Sequence, residues 1–169
     1  MDNHYIAGFV DGEGSFHVAF QRSKDVKIGW QAVPEFHISQ NWPSKDVLEA
    51  IREKLGCGYV KSNHAKSARD KTFVYVVRNR QDLLKKVIPF FETYRLHTEK
   101  WKDFQKFRAV VKLMEQNEHL YKEGFSEIVQ IAYSMNAHGM YRKVGIEKIL
   151  TSLKSSETIR SALVTKSSK

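Results

Sequence analysis

The 169-residue sequence contains one cysteine, Cys57, so no intramolecular disulfide can form. A reducing compartment is the simpler setting for it. No apolar run approaches the roughly 20 residues needed to span a bilayer, and membrane residence is not expected. Residues 1–5 lack Lys, Arg and any long apolar stretch. That argues against a secretory signal or a cleaved transit peptide and favours an intracellular protein. No G-x-x-x-x-G-K-[ST] loop or nucleophile elbow occurs, and Gly12-Glu13-Gly14 is too short to cradle a phosphate. The seven histidines show no paired metal spacing. With one cysteine beside them, a zinc site is not expected.

Hydrophobic residues at 41% and aromatics at 12% exclude a disordered chain. At this length a single domain buries about two thirds of its unfolded surface without staples. Residues 1–169 are read as that domain, with a basic Ser/Lys-rich tail from about residue 154. The formal net charge is +9, which favours a polyanionic partner such as nucleic acid. Residues 1–21 nevertheless hold three acids (Asp2, Asp11, Glu13) and no Lys or Arg, whereas residues 61–80 hold six bases against Asp70 alone. An acidic centre therefore sits within a basic chain.

Small residues Ala7, Gly8 and Gly12 in the first segment would let another helix approach closely, and Gly14 offers a stop. Period-two alternation then begins: Phe16, Val18 and Phe20 alternate with polar or small residues, as a half-buried strand requires. Phe36 and Ile38 repeat the pattern, with a hairpin turn at 24–29 between the two strands. Ser44 is a candidate N-cap for a helix bearing Val47, Leu48, Ile51 and Leu55, which Gly56 and Gly58 end. A second strand pair is predicted at 59–63 and 71–78. Helical spacing returns in Leu83 to Phe91, with Pro89 near the end, in Trp101 to Met114, and in Phe125 to Met135. A short helix is expected near 156–163.

This order predicts an α+β domain, a four-stranded antiparallel sheet with helices on one face and the other face open. Residues out of phase with the core are the candidates for that open face. They are Ser15, His17, Gln21 and Ser23; Gln31, Glu35, His37 and Ser39; Lys61 and Asn63; Arg69, Lys71, Phe73 and Tyr75. Phe73 to Val77 is apolar throughout, so either parity of the last strand fits the pattern.

The segment Tyr5-Ile6-Ala7-Gly8-Phe9-Val10-Asp11-Gly12-Glu13-Gly14-Ser15-Phe16 resembles the motif of the LAGLIDADG homing endonucleases. Gln40 at the end of the second strand, Gly56-Cys57-Gly58-Tyr59-Val60, the stretch Leu96 to Phe104, Gly124 to Asn136 and Ser155 to Leu163 are also similar to that family. The resemblance implies the αββαββα fold with double-stranded DNA on the open sheet face. It further implies a site-specific endonuclease that hydrolyses both strands of a long, near-palindromic target and leaves 3′ overhangs. An organelle (chloroplast or mitochondrion) or a prokaryotic cytoplasm is the expected setting, with an intron as the source of the gene.

By the same resemblance, the Glu13 side chain and the Gly12 carbonyl hold Mg²⁺, in a site that Mn²⁺ or Ca²⁺ could also occupy. Glu13 stands where the family more often has Asp. Gln40 would hold the solvent network and Lys100 would offset charge on the phosphate, with Lys102 in reserve. Arg69, Lys71 and Lys61 would read guanine or grip phosphate, Gln21, Gln31 and Asn63 would pair with adenine, and Glu35 would accept from cytosine. One motif copy implies a homodimer meeting at Ala7, Gly8, Asp11 and Gly12. Two alternatives share the scaffold: an RNA maturase acting on its own intron RNA, and a DNA-binding protein that does not cut.

Overall fold

The chain starts helical because Asp2 caps it: the backbone N–H groups of His4 and Tyr5 donate to its carboxylate at 2.8 and 3.2 Å. A computed structural model describes residues 1–63, 71–136 and 142–153. Helix α1 (Asn3–Glu13) runs straight into strand β1 (Gly14–Arg22) with no loop between them. Glycine is needed at that junction for space, since a Cβ on Gly14 would lie 2.6 Å from Val10 Cγ1 and 2.8 Å from the Val10 carbonyl oxygen. The sharp junction leaves Glu13 at one end of the sheet.

Strand β1 pairs with β2 (Trp30–Asn41) from Gly14 opposite Ile38 to Arg22 opposite Trp30. Pro34 is tolerated in this central strand because β4 (Thr72–Val77) reaches only to Phe36, so the missing N–H of Pro34 can face an unpaired side. A 3₁₀ turn at Trp42–Ser44 leads into α2 (Lys45–Leu55). Ser44 takes the N-cap position, but its side chain makes no capping hydrogen bond. Past α2, Gly58 has φ +73° and faces the Val76 carbonyl oxygen 2.5 Å from where a Cβ would sit, so glycine is again required. Strand β3 (Tyr59–Ser62) follows on the outside, and the antiparallel sheet has the order β1-β2-β4-β3.

The expected element order is borne out. Beyond the sheet, residues 80–93 form one helical segment whose middle, Leu83–Val87, widens to a π turn. Pro89 lies just after that turn and inside the helix rather than at its end. The wider turn gives the ring room where a regular turn would crowd it. Helices Lys100–Glu115, Lys122–Tyr133 and Ile146–Thr151 complete the described residues. The expected helix near 156–163, and Arg69, lie outside them. Helices cover one sheet face through an aromatic centre in which Phe16 packs on Phe36, Phe91, Phe104 and Phe107 with ring centroids 5.0 to 5.5 Å apart. All five rings are fully buried.

Candidate active centre and nucleic-acid interface

Glu13 is the last residue of α1 and is exposed at the end of the sheet. Asp11, two residues earlier, is already committed. Its carboxylate accepts from the backbone N–H of His97 at 2.7 Å and of Thr98 at 3.2 Å, and from the Thr98 hydroxyl at 2.6 Å. Desolvation works to raise its pKa, but those hydrogen bonds from Thr98 and His97 outweigh it and hold the acid below its ordinary value. Asp11 thus anchors the loop that leads into Lys100.

Lys100 opens the helix Lys100–Glu115, a poor place for a cation in that helix's own dipole. Its side chain turns back instead. Nζ donates to the carbonyls of Val10 at 3.0 Å and Gly12 at 3.1 Å, the negative end of α1. Burial pulls this ammonium below its ordinary pKa, against the opposing pull of Asp11, Glu13 and Asp103. Lys102 is different: it is largely exposed and pairs with Glu99 at 3.0 Å. Geometry therefore separates the two candidate lysines. Gln40 is half-buried, and the β1–β2 register carries it to the same sheet end as Glu13. It shares the parity of Phe36 and Ile38, the helix-covered side.

On α1, Gly8 and Gly12 have nothing among the described residues within 4 Å of where a Cβ would sit, and they line an exposed stripe with Tyr5. Ala7 was expected on that stripe but is 6% exposed and belongs to the chain's own core. A rotation of about 100° per residue separates the two environments, because residue 7 lies with Ile6 and Val10 while residues 8 and 12 lie on the far side.

The uncovered sheet face carries Ser15, His17, Gln21, Gln31, His37, Ser39 and Lys61 at the expected parity. Gln21 Nε2 donates to Gln31 Oε1 at 2.9 Å, which pairs two exposed amides across the strands. Ser23 falls in the turn, where its hydroxyl accepts from the Asp25 N–H. Asn63 and Lys71 flank the ends of β3 and β4. Two residues are corrected. Tyr75 is fully buried on the helix side, where its hydroxyl donates to the Cys57 carbonyl at 2.9 Å. Phe73 shares that parity and packs on Trp42, with Lys45 over its ring. Strand β4 therefore turns Thr72, Val74 and Val76 to the parity of His37 and Ser39, where Val74 and Val76 are nevertheless buried. Its apolar run carries no alternation to reveal this; the phase comes from the register with β2 and β3.

Glu35 sits on the open-face parity but is 8% exposed. The Arg78 guanidinium donates to one carboxylate oxygen, and the other lies 3.4 Å from His37 Nδ1 and 3.7 Å from His17 Nε2. Desolvation would raise the Glu35 pKa, but hydrogen bonds from His37 and Arg78 reverse the sign and take it to about 2. Burial, then the neighbouring His37, take His17 down to about 4, so its ring is neutral at pH 7. Glu35 is thus engaged within the fold and does not offer a free carboxylate to a base. Sequence patterning does not single out Arg78, whose one signal is its membership of the six bases in residues 61–80.

A polar open sheet, a carboxylate at the end of the helix leading into it and a lysine folded back on that helix end define a class, and sequence comparison identifies it. The family model described as LAGLIDADG endonuclease matches residues 6–111, and the chain belongs to that family. "Probable intron-encoded endonuclease 3" of Neurospora crassa is 37% identical over 131 residues, 77% of this chain and 24% of that protein. The crystal structure of a homing endonuclease, I-TnaI, superposes with a TM-score of 0.77 at 39% identity, covering 90% of this chain and 95% of that one. The LAGLIDADG homing endonuclease I-SmaMI bound to cleaved DNA gives a TM-score of 0.76 at 32% identity, covering 81% of this chain and 44% of that one. Another I-SmaMI structure holds an uncleaved DNA target in the presence of calcium ions. The chain thus spans about a quarter of the Neurospora protein, less than half of I-SmaMI and nearly all of I-TnaI.

Proposed function

We propose that this chain is one subunit of a site-specific, intron-encoded DNA endonuclease, and that two copies hydrolyse both strands of a near-palindromic duplex with Mg²⁺ and leave 3′ overhangs. One observation carries the reading: the exposed Glu13 carboxylate and the Gly12 carbonyl stand together at the end of α1, with Lys100 Nζ 3.1 Å from that carbonyl. Carboxylate and carbonyl are hard oxygen donors, and a carbonyl has a second lone pair beyond the one Lys100 uses, so the donor set fits Mg²⁺. Mn²⁺ or Ca²⁺ fits the same oxygens, and the calcium-containing I-SmaMI complex supports a divalent ion here.

When bound, the ion supplies charge that lowers the pKa of an attacking water and steadies the leaving 3′ oxygen. Glu13 and the Gly12 carbonyl hold it. Lys100 brings a fixed positive charge to the scissile phosphate, held in place by α1 rather than by solvent. Gln40, at the same sheet end, orients water. The open sheet face lies along the duplex: Lys61 and Lys71 grip phosphate or guanine, and the Gln21–Gln31 pair presents amides to adenine. Arg69 completes this basic set by sequence.

Two copies are needed because one chain holds one Glu13. The open stripe of Tyr5, Gly8 and Gly12 on α1 suits a like helix, and the half-length match to I-SmaMI supports a pair. Plasmid linearisation tests the reading. Glu13→Gln is expected to abolish Mg²⁺-dependent cutting while gel-shift binding of the target persists. Cutting at the original rate would overturn the assignment.

A further inference from the structure

Sequence spacing gives no paired metal ligands, yet pairing of β1 with β2 builds such a set on the open sheet face. His17 stands directly opposite Glu35, with His37 two residues further along the same strand. His17 Nε2 and His37 Nδ1 lie 3.7 and 3.4 Å from the same oxygen, Glu35 Oε1, and all three ligand atoms fall within 4.8 Å of one another. Tetrahedral ligands about 2.0 Å from a zinc ion stand about 3.3 Å apart, so two of the three edges are already near their final length. We propose that His17, Glu35 and His37 form a binding site for a borderline divalent cation of the zinc type, separate from the Glu13 centre.

Two imidazoles and one carboxylate favour Zn²⁺, Co²⁺ or Ni²⁺ over Mg²⁺, which requires an oxygen shell. Arg78 holds Glu35 by its other oxygen, which leaves Oε1 turned to the histidines and fixes the carboxylate as an outer partner fixes a metal ligand. His17 Nδ1 is buried with no hydrogen-bond partner among the described residues, and Nε2 is the nitrogen turned to Glu35 Oε1. Both histidine side chains keep about 30% of their surface, so the fourth position opens to the uncovered face. Water fills it, or an electron-pair donor of a docked ligand such as a purine N7. Arg78, and Arg142 beside His17, oppose a doubly charged ion and limit its affinity. His17 lies three residues along β1 from Gly14, about 10 Å at strand rise from the end of α1, so two ions would bind at separate sites.

The test uses the full chain without a histidine tag, stripped with EDTA and then titrated with Co²⁺ in excess Mg²⁺. Expected is one Co²⁺ per chain with the visible absorption of a tetrahedral site, displaced by Zn²⁺ and retained in Glu13→Gln. His17→Ala and His37→Ala, both at partly exposed positions, should each weaken binding by at least about tenfold with an unchanged circular dichroism spectrum. Glu35 is left intact, because its removal would strand Arg78. Absence of a Zn²⁺-displaceable signal, a signal indifferent to both histidine substitutions, or one lost in Glu13→Gln would each overturn the proposal.

Discussion

Lys100 and Lys102 lie two residues apart in the first turn of one helix, and their surroundings differ in every respect that matters for chemistry. Lys100 is drawn against the carbonyls of Val10 and Gly12, whereas Lys102 reaches solvent and Glu99. A charge held at the site by a helix end needs no reorganisation when the phosphate arrives; a solvated one does. Lys100→Ala is therefore expected to lower the cleavage rate about 10²- to 10³-fold, the usual loss for one preorganised donor. Lys102→Ala should cut at close to the original rate, and single-turnover assays on a plasmid target distinguish the two. Tyr75 permits a second residue-scale test. Tyr75→Phe leaves the buried Cys57 carbonyl without its donor and should lower stability by about 1–3 kcal/mol in urea titration. Target affinity should not change, since the ring is on the helix side. Weakened DNA binding at unchanged stability would contradict that placement.

At the scale of elements, the junction between α1 and β1 decides where the acid stands. A loop there would let Glu13 wander, whereas the direct passage at Gly14 ties it to the sheet end that also holds Gln40. Gly14→Ala places a methyl against the Val10 backbone, which cannot yield as a side-chain tip can. Stability is expected to fall by about 1–3 kcal/mol, as for other overpacked sites. Cutting should fall further than binding, because the displaced element carries Glu13, the proposed metal ligand. Thermal melting beside plasmid cleavage checks both. The β1–β2 ladder has an equal part in the open face, since it places His17 against Glu35 and Gln21 against Gln31.

For the whole molecule, the proposed pair of cuts needs a second acidic centre. Tyr5 is 52% exposed beside Gly8 and Gly12 on α1, an apolar and small-residue stripe that a second copy would cover. Sedimentation on target DNA is expected to show two chains per duplex. Selection from a randomised library should return a near-palindrome, as a two-fold axis through the paired helices requires. One chain per cleaved duplex would refute the pairing.

The amino-acid sequence by itself determined the element order, the hairpin pairs, the Glu13 motif and the phase of β1 and β2, because amphipathic alternation and helix punctuation are local. Asp2 capping α1 and the glycines after α2 act within a few residues of where they stand. Tertiary structure decided the remainder. The five-residue apolar run of β4 has no alternation to read, so only its register with β2 and β3 puts Tyr75 inward and Val74 outward. Ala7 left the open stripe for the core because the sheet packs against that side of α1. The separation of Lys100 from Lys102 depends on the end of a helix nearly ninety residues earlier. The His17, Glu35 and His37 cluster joins two strands whose spacing in sequence shows no metal pattern. Contacts between residues far apart in the chain arise only when the sheet assembles, so no local pattern could have shown them.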